Sequence, residues 1–571
     1  MAFNKKVSNL LSKSNNNAST NAFLKEGMKA SNETTSGNGA LKYSTSGNEF
    51  VDDFASIAKY KEPRSYEDVA QTMQLLYSID KIKAVKMAIF IRLITRKSQV
   101  MKEKGVETLE EVQRGQGLKN EGIMRMLWLA LNHPNIFKVN LPLFIAAGSW
   151  KDVITMMNLD LQFHGWKDRK LDWAFFGKAL KAGLLNAGTS QLVRKYLPTI
   201  RTDAKCRTLE SQADTLIGRW LAKQFFPEDE KFVAYKKYRQ LKSKGTAHKW
   251  QQLISKQMFN ELNFDSIAGR ALALLVGSKF LKNHGLEAKY SEWIKSKPTA
   301  KYTGFVFELF QPLEPRGGGW DSYNFPSLEE YRKDTINAQF RHLVETGKDN
   351  LDTTTKLLVA RDISGSMTSK AVGCNMSAYS VAKAMALYFS EFLTGTFADS
   401  YVEFADSCNL RKWQGSTPVD KWINDKNANF GSTNFLAIAD LFCQLKRRGV
   451  PVSDFPDGIL CVSDGEFNYA SKNVTNFQQF RNKLKVAGFP QKYVDDFKLI
   501  LWDIPNSYYG KPTTKFEDFA DTPNNFYISG YDPSIVAFIL EGKECKITPR
   551  NAAELMEAAL DQELLNRVSC K

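Results

Sequence analysis

The spacing of apolar positions changes once along the chain. Over residues 51–350 they recur every three to four residues, the period of helices that bury one face. This predicts helices over residues 87–94, 122–131, 173–185, 208–222, 250–260 and 268–281. They come at no fixed period, so the region reads as an irregular helical array and not as a consensus repeat. From residue 355 short apolar runs at 356–360, 401–404, 458–462, 497–502 and 525–529 alternate with helical stretches at 376–392, 435–447 and 474–486. Buried strands separated by helices predict a parallel α/β sheet, with any site at the carboxyl ends of its strands. The expected fold class is therefore α plus α/β.

The ends of the chain read differently. Residues 1–50 are rich in Asn, Ser and Gly and are expected to be flexible. Residues 551–568 read as one amphipathic helix, with Ala552, Leu555, Met556, Ala559, Leu560, Leu564 and Leu565 on a single stripe. Helices within 376–541 already cover the sheet, so this stripe is expected to pack on the helical portion. The resulting division is 1–50, 51–350, 351–545 and 546–571.

Charge adds a direction to this picture. The chain of 571 residues carries a formal +16. Residues 351–571 hold 24 Lys and Arg against 26 Asp and Glu, a net of −2, which leaves +18 on residues 1–350. An excess confined to one part of a molecule favours a polyanionic partner, most often nucleic acid. No apolar run reaches the roughly 18 residues of a membrane span. The seven cysteines are dispersed with no C-x-x-C pair, the usage of a reducing compartment, so a cytoplasmic location is expected.

The chemistry is concentrated after three of the expected strands. Asp362-Ile-Ser364-Gly-Ser366 follows the first, Gly431-Ser-Thr433 opens a helix, and Ser463-Asp464-Gly closes a later strand. Ser364 and Ser366 alternate along one loop, so both hydroxyls face one point. Thr433 adds a third hydroxyl, and Asp362 and Asp464 supply negative charge. Oxygen donors of this kind suit Mg²⁺ or Mn²⁺ and leave a coordination position for a partner's carboxylate. The pattern resembles the metal-ion-dependent adhesion site of von Willebrand factor A domains, with Asp362, Ser364, Ser366, Thr433 and Asp464 matching.

A second resemblance extends over the front portion. Asn38-Gly-Ala-Leu-Lys-Tyr-Ser-Thr-Ser-Gly47, Arg114-Gly-Gln-Gly117, Leu141-Pro-Leu, Gly148-Ser-Trp-Lys-Asp152, Tyr238-Arg-Gln-Leu241, Phe264-Asp-Ser-Ile-Ala268 and Ile336-Asn-Ala-Gln339 occur in this order ahead of the metal loop. With the A-type segment behind them, they resemble the Ro autoantigen family, the ring-shaped TROVE-module RNA-binding proteins, and more closely a related family of plants, bacteria and large viruses. The resemblance implies a HEAT-like ring of helices joined to a metal-binding A domain. It further implies binding of non-coding or defective RNA, presented to a partner such as a nuclease.

Two basic runs are the candidate RNA contacts. Arg194, Lys195, Arg201, Lys205 and Arg207 flank one expected helix. Lys236, Lys237, Arg239, Lys242, Lys244 and Lys249 are interleaved with Tyr235, Tyr238 and Trp250. Cations hold phosphates and aromatics stack bases, although the same aromatics equally suit a core. An alternative class is a structural or assembly protein, for example of a phage or virion, using the A-type segment for protein contacts. Enzymatic activity is not expected: Gly115-Gln-Gly117 lacks the Lys-Ser/Thr of a phosphate loop, Gly365-Ser-Met lacks the G-x-S-x-G frame, and the five histidines are isolated.

Overall fold

The computed structural model describes residues 27, 29–56, 64–101, 108–201, 205, 208–243, 249–315, 325–348, 356–372, 374–392, 397–426, 430–506, 515–532, 536, 539 and 548–571, with side chains left out at 96–112, 249 and 348. In chain order its main elements are a hairpin, β1 (Glu33–Thr35) and β2 (Leu41–Tyr43), and helices α1 (Glu49–Ser56), α2 (Tyr66–Ile79) and α3 (Lys81–Arg92). A second hairpin follows, β3 (Arg96–Met101) and β4 (Thr108–Gln113). Next come α4 (Lys119–Asn132), α5 (Pro134–Ala147), α6 (Trp150–His164), α7 (Trp173–Leu185), α8 (Ser190–Tyr196), α9 (Leu209–Phe225) and α10 (Lys231–Ser243).

The remainder is α11 (Gly269–Gly277), α12 (Glu287–Lys295), α13 (Glu330–Lys348), β5 (Leu357–Asp362), α14 (Ala378–Ser390), β6 (Ser400–Phe404), β7 (Cys408–Lys412), α15 (Pro418–Asn424) and α16 (Leu436–Arg447). It closes with β8 (Gly458–Ser463), α17 (Asn476–Val486), β9 (Lys498–Asp503), β10 (Asn525–Ser529), α18 (Ala552–Leu560) and α19 (Glu563–Asn566). Among the described residues no helix is long and apolar enough to cross a membrane.

The chain forms two compact units that do not follow the linear boundaries expected from the sequence. A helical unit comprises residues 64–94, 115–266 and 562–571, and a sheet unit comprises 1–63, 95–114 and 267–561. The helical period groups residues 267–348 with the helices before them, yet they pack with the sheet. Asn337 on α13 accepts the Val419 N–H at 3.0 Å, and Phe310 stacks on Trp422 at 4.5 Å. Helix period states that a face is buried and is silent about what buries it.

In the sheet unit six strands lie in the order β10-β9-β8-β5-β6-β7. All neighbours are parallel except β6 and β7. Every residue of β5 and β8 is buried, the signature of strands covered on both faces. Five of the six strands are those the apolar runs announced. The sixth, β7, is mostly exposed and has no apolar run, because an antiparallel edge strand faces water. From β5 the chain moves to β6 on one side and later returns to β8 on the other. The order therefore reverses between β5 and β8, which opens a crevice at their carboxyl ends.

The burial of β5 includes Arg361 and Asp362. Arg361 is compensated: its guanidinium lies 2.6 Å from Asp425 and 3.4 Å from Glu403, and Lys383 joins Asp425 at 3.2 Å. Tyr401 and Trp413 flank the guanidinium, with ring centroids 5.0 and 5.8 Å away.

In the helical unit, Asp80 caps α3 by accepting the Lys83 N–H at 2.9 Å. Residues Met87 to Ile91 are buried all round, as expected of an interior helix. Arg92 reaches Asp152 at 2.8 Å, and Gly148 lies so close to both that a Cβ there would stand 2.0 Å from the Asp152 carboxylate.

The carboxyl-terminal stretch corrects the expectation of a single helix packing on the helical portion. Asp561 leaves helical geometry at φ −92°, ψ 55° and ends α18. Helix α18 packs on α1 and β10 in the sheet unit, and α19 packs on α3 in the helical unit. Residues 29–50, read as flexible, form the first hairpin and the start of α1. They are fixed by distant partners: Lys42 pairs with Glu517 at 3.1 Å with both side chains buried, and Tyr43 and Phe516 exchange two backbone hydrogen bonds.

Candidate metal and nucleic-acid sites

The crevice between β5 and β8 holds the residues singled out in the sequence. Asp362 ends β5 and Ser463 ends β8. Ser364 donates its N–H to Asp362 Oδ1 at 2.8 Å, and the Ser463 hydroxyl donates to Asp362 Oδ2 at 2.5 Å. Ser364 Oγ and Ser366 Oγ stand 3.2 Å apart. The Ser366 side chain is hydrogen-bonded to Asp464, which also accepts from Asn506 Nδ2 at 2.8 Å and from the Glu466 N–H at 3.1 Å. Four of the five expected residues thus form one network.

Thr433 arrives on the neighbouring loop. That loop is tied to the first by the Gly365 N–H to Gly431 carbonyl bond of 3.0 Å. Its hydroxyl lies 3.5 Å from Asn38 Nδ2, which also donates to the Glu466 carbonyl at 2.6 Å. The sequence reading does not assign Ser463, Asn506 or Asn38 to this site. Ser463 had a local signal, its place beside Asp464. Asn506 had none, and Asn38, which opens one of the front motifs, had nothing to link it to loops almost four hundred residues away.

The electrostatics of this crevice contrast with those around Arg361. Asp362 and Asp464 are buried, and among the described residues neither forms an ion pair with a Lys or Arg. Burial, then the charge of Asp464, pushes the Asp362 carboxyl up to about 7. Burial also raises Asp464, against the hydrogen bonds of Ser366 and Asn506. Two neighbouring buried carboxylates without a cation are costly. With the Ser364 and Ser366 hydroxyls joined to them and Thr433 on the adjoining loop, they suit a hard divalent cation that takes oxygen ligands and keeps some water. Among the described residues no cluster of three or more His, Cys, Asp or Glu offers a metal site, so a metal here relies on Ser and Thr hydroxyls.

The charge excess also follows the compact units, although less steeply than the linear split of +18 against −2. The helical unit has 31 Lys and Arg against 17 Asp and Glu, a net of +14, leaving +2 of the total +16 for the sheet unit. The expected basic contacts separate into four groups. Lys205, Lys236 and Arg239 are exposed and make no ion pair among the described residues. Others are engaged within the unit: Arg201 with Asp214 at 3.4 Å, Lys237 with Asp229 at 2.7 Å, Lys242 with the Leu197 carbonyl, and Lys195 over the Tyr196 ring. Arg194 is half-buried. Arg207, Lys244 and the Lys249 side chain lie outside the described residues.

The interleaved aromatics Tyr235 and Tyr238 belong to the core. Tyr238 is fully buried, stacks on Phe225 and donates its hydroxyl to the Pro198 carbonyl at 3.0 Å. Phe232, not singled out before, is 76% exposed. It shares the Lys236 and Arg239 face of α10, at i+4 and i+7.

Residues 357–567, 211 of the 571, match a family model described as a domain of unknown function (DUF7788). No curated protein matches the chain. Among solved structures the Ro (RSR) protein of Deinococcus radiodurans aligns over 90% of this chain and 99% of its own length, at 12% identity and a TM-score of 0.37. A likeness that loose carries no functional argument.

Proposed function

We propose that the chain is an RNA-binding scaffold of the Ro type, whose helical unit holds non-coding or defective RNA while its sheet unit engages a protein partner through a divalent metal. The observation that carries this reading is the concentration of +14 of the net +16 in the helical unit, because phosphate neutralisation supplies most of the affinity for nucleic acid. The exposed face of α10 supports it, with Phe232 to stack a base and Lys236 and Arg239 to meet phosphates.

In this reading the sheet unit is a von Willebrand A-type domain. Strand order and the place of the crevice support that assignment. Asp362, Ser364, Ser366, Thr433 and Asp464 would hold Mg²⁺ or Mn²⁺. The bound cation would offer an open position to a carboxylate of a partner such as a nuclease. Around it, Ser463 and the Ser364 N–H fix the Asp362 carboxylate, and Asn506 orients Asp464. The scaffold would bind and present RNA without turning it over.

The test is electrophoretic mobility of single-stranded and duplex RNA with the full chain at two salt concentrations. Binding that weakens steeply with salt is expected. An RNA-free protein that forms assemblies and shifts neither probe would overturn this reading in favour of a structural role.

A further inference from the structure

The first hairpin reaches the edge of the crevice at Thr433. The turn between β1 and β2 lies on the loop after β8. Ser36 donates its hydroxyl to the Phe467 carbonyl at 2.6 Å, the Gly37 N–H meets the Glu466 carboxylate, Asn38 reaches the Glu466 carbonyl, and Gly39 pairs with Asn468 in an antiparallel bridge. The same Asn38 amide stands 3.5 Å from Thr433 Oγ1. In the adjoining crevice Ser364 and Thr433 are each 1% exposed and Asp464 is 7% exposed. The outer side of the turn, at Gly37 and Gly39, is open to water.

The hairpin is held unevenly. Its base is anchored by the buried Lys42–Glu517 pair, by Lys42 over the Phe467 ring at 4.6 Å and by the Tyr43–Phe516 backbone bonds. Its tip, Ser36-Gly-Asn-Gly39, brings no large apolar side chain and is held by a few polar bonds. Gly39 sits at φ +81°, a conformation that glycine adopts without strain. Polar bonds exchange readily for bonds to water, so the tip can lift while the base stays in place.

We propose that this tip is a built-in plug: it closes the partner-facing mouth of the metal site and lifts before an external carboxylate reaches the cation. The plug rests on the metal reading above, and the two can fail separately. The experiment compares full-length wild type with the Ser36→Ala/Asn38→Ala double variant, and with Gly37→Pro as a second way to release the tip. Three readouts are taken: hydrogen exchange of residues 37–40, release of Mn²⁺ to a chelator, and water-proton relaxation of bound Mn²⁺ titrated with acetate as the carboxylate probe.

In the variants the tip exchanges faster. Mn²⁺ release and acetate sensitivity both increase by about tenfold or more, the scale of losing two neutral hydrogen bonds. A freed tip with unchanged Mn²⁺ release and acetate response overturns the plug and leaves the metal site standing. Weaker Mn²⁺ binding without faster access makes Asn38 a support of the site and also overturns the plug. Failure of Mn²⁺ to bind either protein overturns the metal reading and the plug with it.

Discussion

Arg361 Nη1 and Asp425 Oδ2 meet at 2.6 Å in the interior of the sheet unit, where Arg361 is fully buried. Asp425 also neutralises Lys383 and accepts the Tyr401 hydroxyl at 2.7 Å. The Arg361 and Lys383 charges hold its carboxyl well below the ordinary carboxylate range against the opposing effect of burial. Asp425→Asn leaves two buried cations short of compensation. We expect a loss of about 3–5 kcal/mol, the usual result of removing one partner of a buried pair, measured by urea unfolding at pH 7. Since the folded carboxyl is depressed, its contribution is complete above the unfolded value and is lost as pH falls through the folded one. The difference between wild type and variant therefore shrinks only in strongly acid solution.

Metal binding should appear as stability that one substitution removes. At a metal concentration about 100 times Kd, a single site adds about 2.7 kcal/mol. Wild type is expected to melt at a higher temperature as Mg²⁺ or Mn²⁺ is added, and Asp362→Ala is expected to be insensitive while keeping its circular dichroism spectrum. An equal metal-induced rise in both proteins would place the cation elsewhere.

On α10 the exposed and buried aromatics should behave oppositely. Phe232→Ala is expected to weaken single-stranded RNA binding by about 1–3 kcal/mol, the value of one stacked base, without changing thermal stability or the salt slope. Lys236→Ala and Arg239→Ala should each lower the magnitude of the salt slope by about 0.7, one released phosphate contact on a single strand. Tyr238→Ala should instead destabilise the helical unit by about 3–5 kcal/mol, as for a large buried aromatic.

Two leucines ten residues apart should report on different units. Leu555 on α18 and Leu565 on α19 are both fully buried, the first in the sheet unit and the second in the helical unit. Each replacement by Ala is expected to cost about 2–5 kcal/mol. Hydrogen exchange should quicken around α1 and β10 for Leu555→Ala, and around α3 for Leu565→Ala. A common pattern for both variants would contradict this separation.

What the sequence determined by itself is everything set by local pattern. The apolar runs at 356–360 and 458–462 announce the strands 357–362 and 458–463, which are buried because their apolar side chains must leave water on both faces. Asp362, Ser364, Ser366 and Asp464 meet because parallel strands put successive loops at one sheet edge. Tertiary structure alone decided what those patterns pack against. Residues 267–348 joined the sheet unit, and one amphipathic stripe broke at Asp561 to serve two cores.

It also sorted the residues around α10. Tyr238 turned inward and Phe232 outward, although composition treats the two alike. Asn38 reached the site from nearly four hundred residues away, a distance that no periodicity spans. The physical reason is the same throughout: spacing fixes which faces must leave water, whereas the identity of the covering surface depends on contacts remote in the chain.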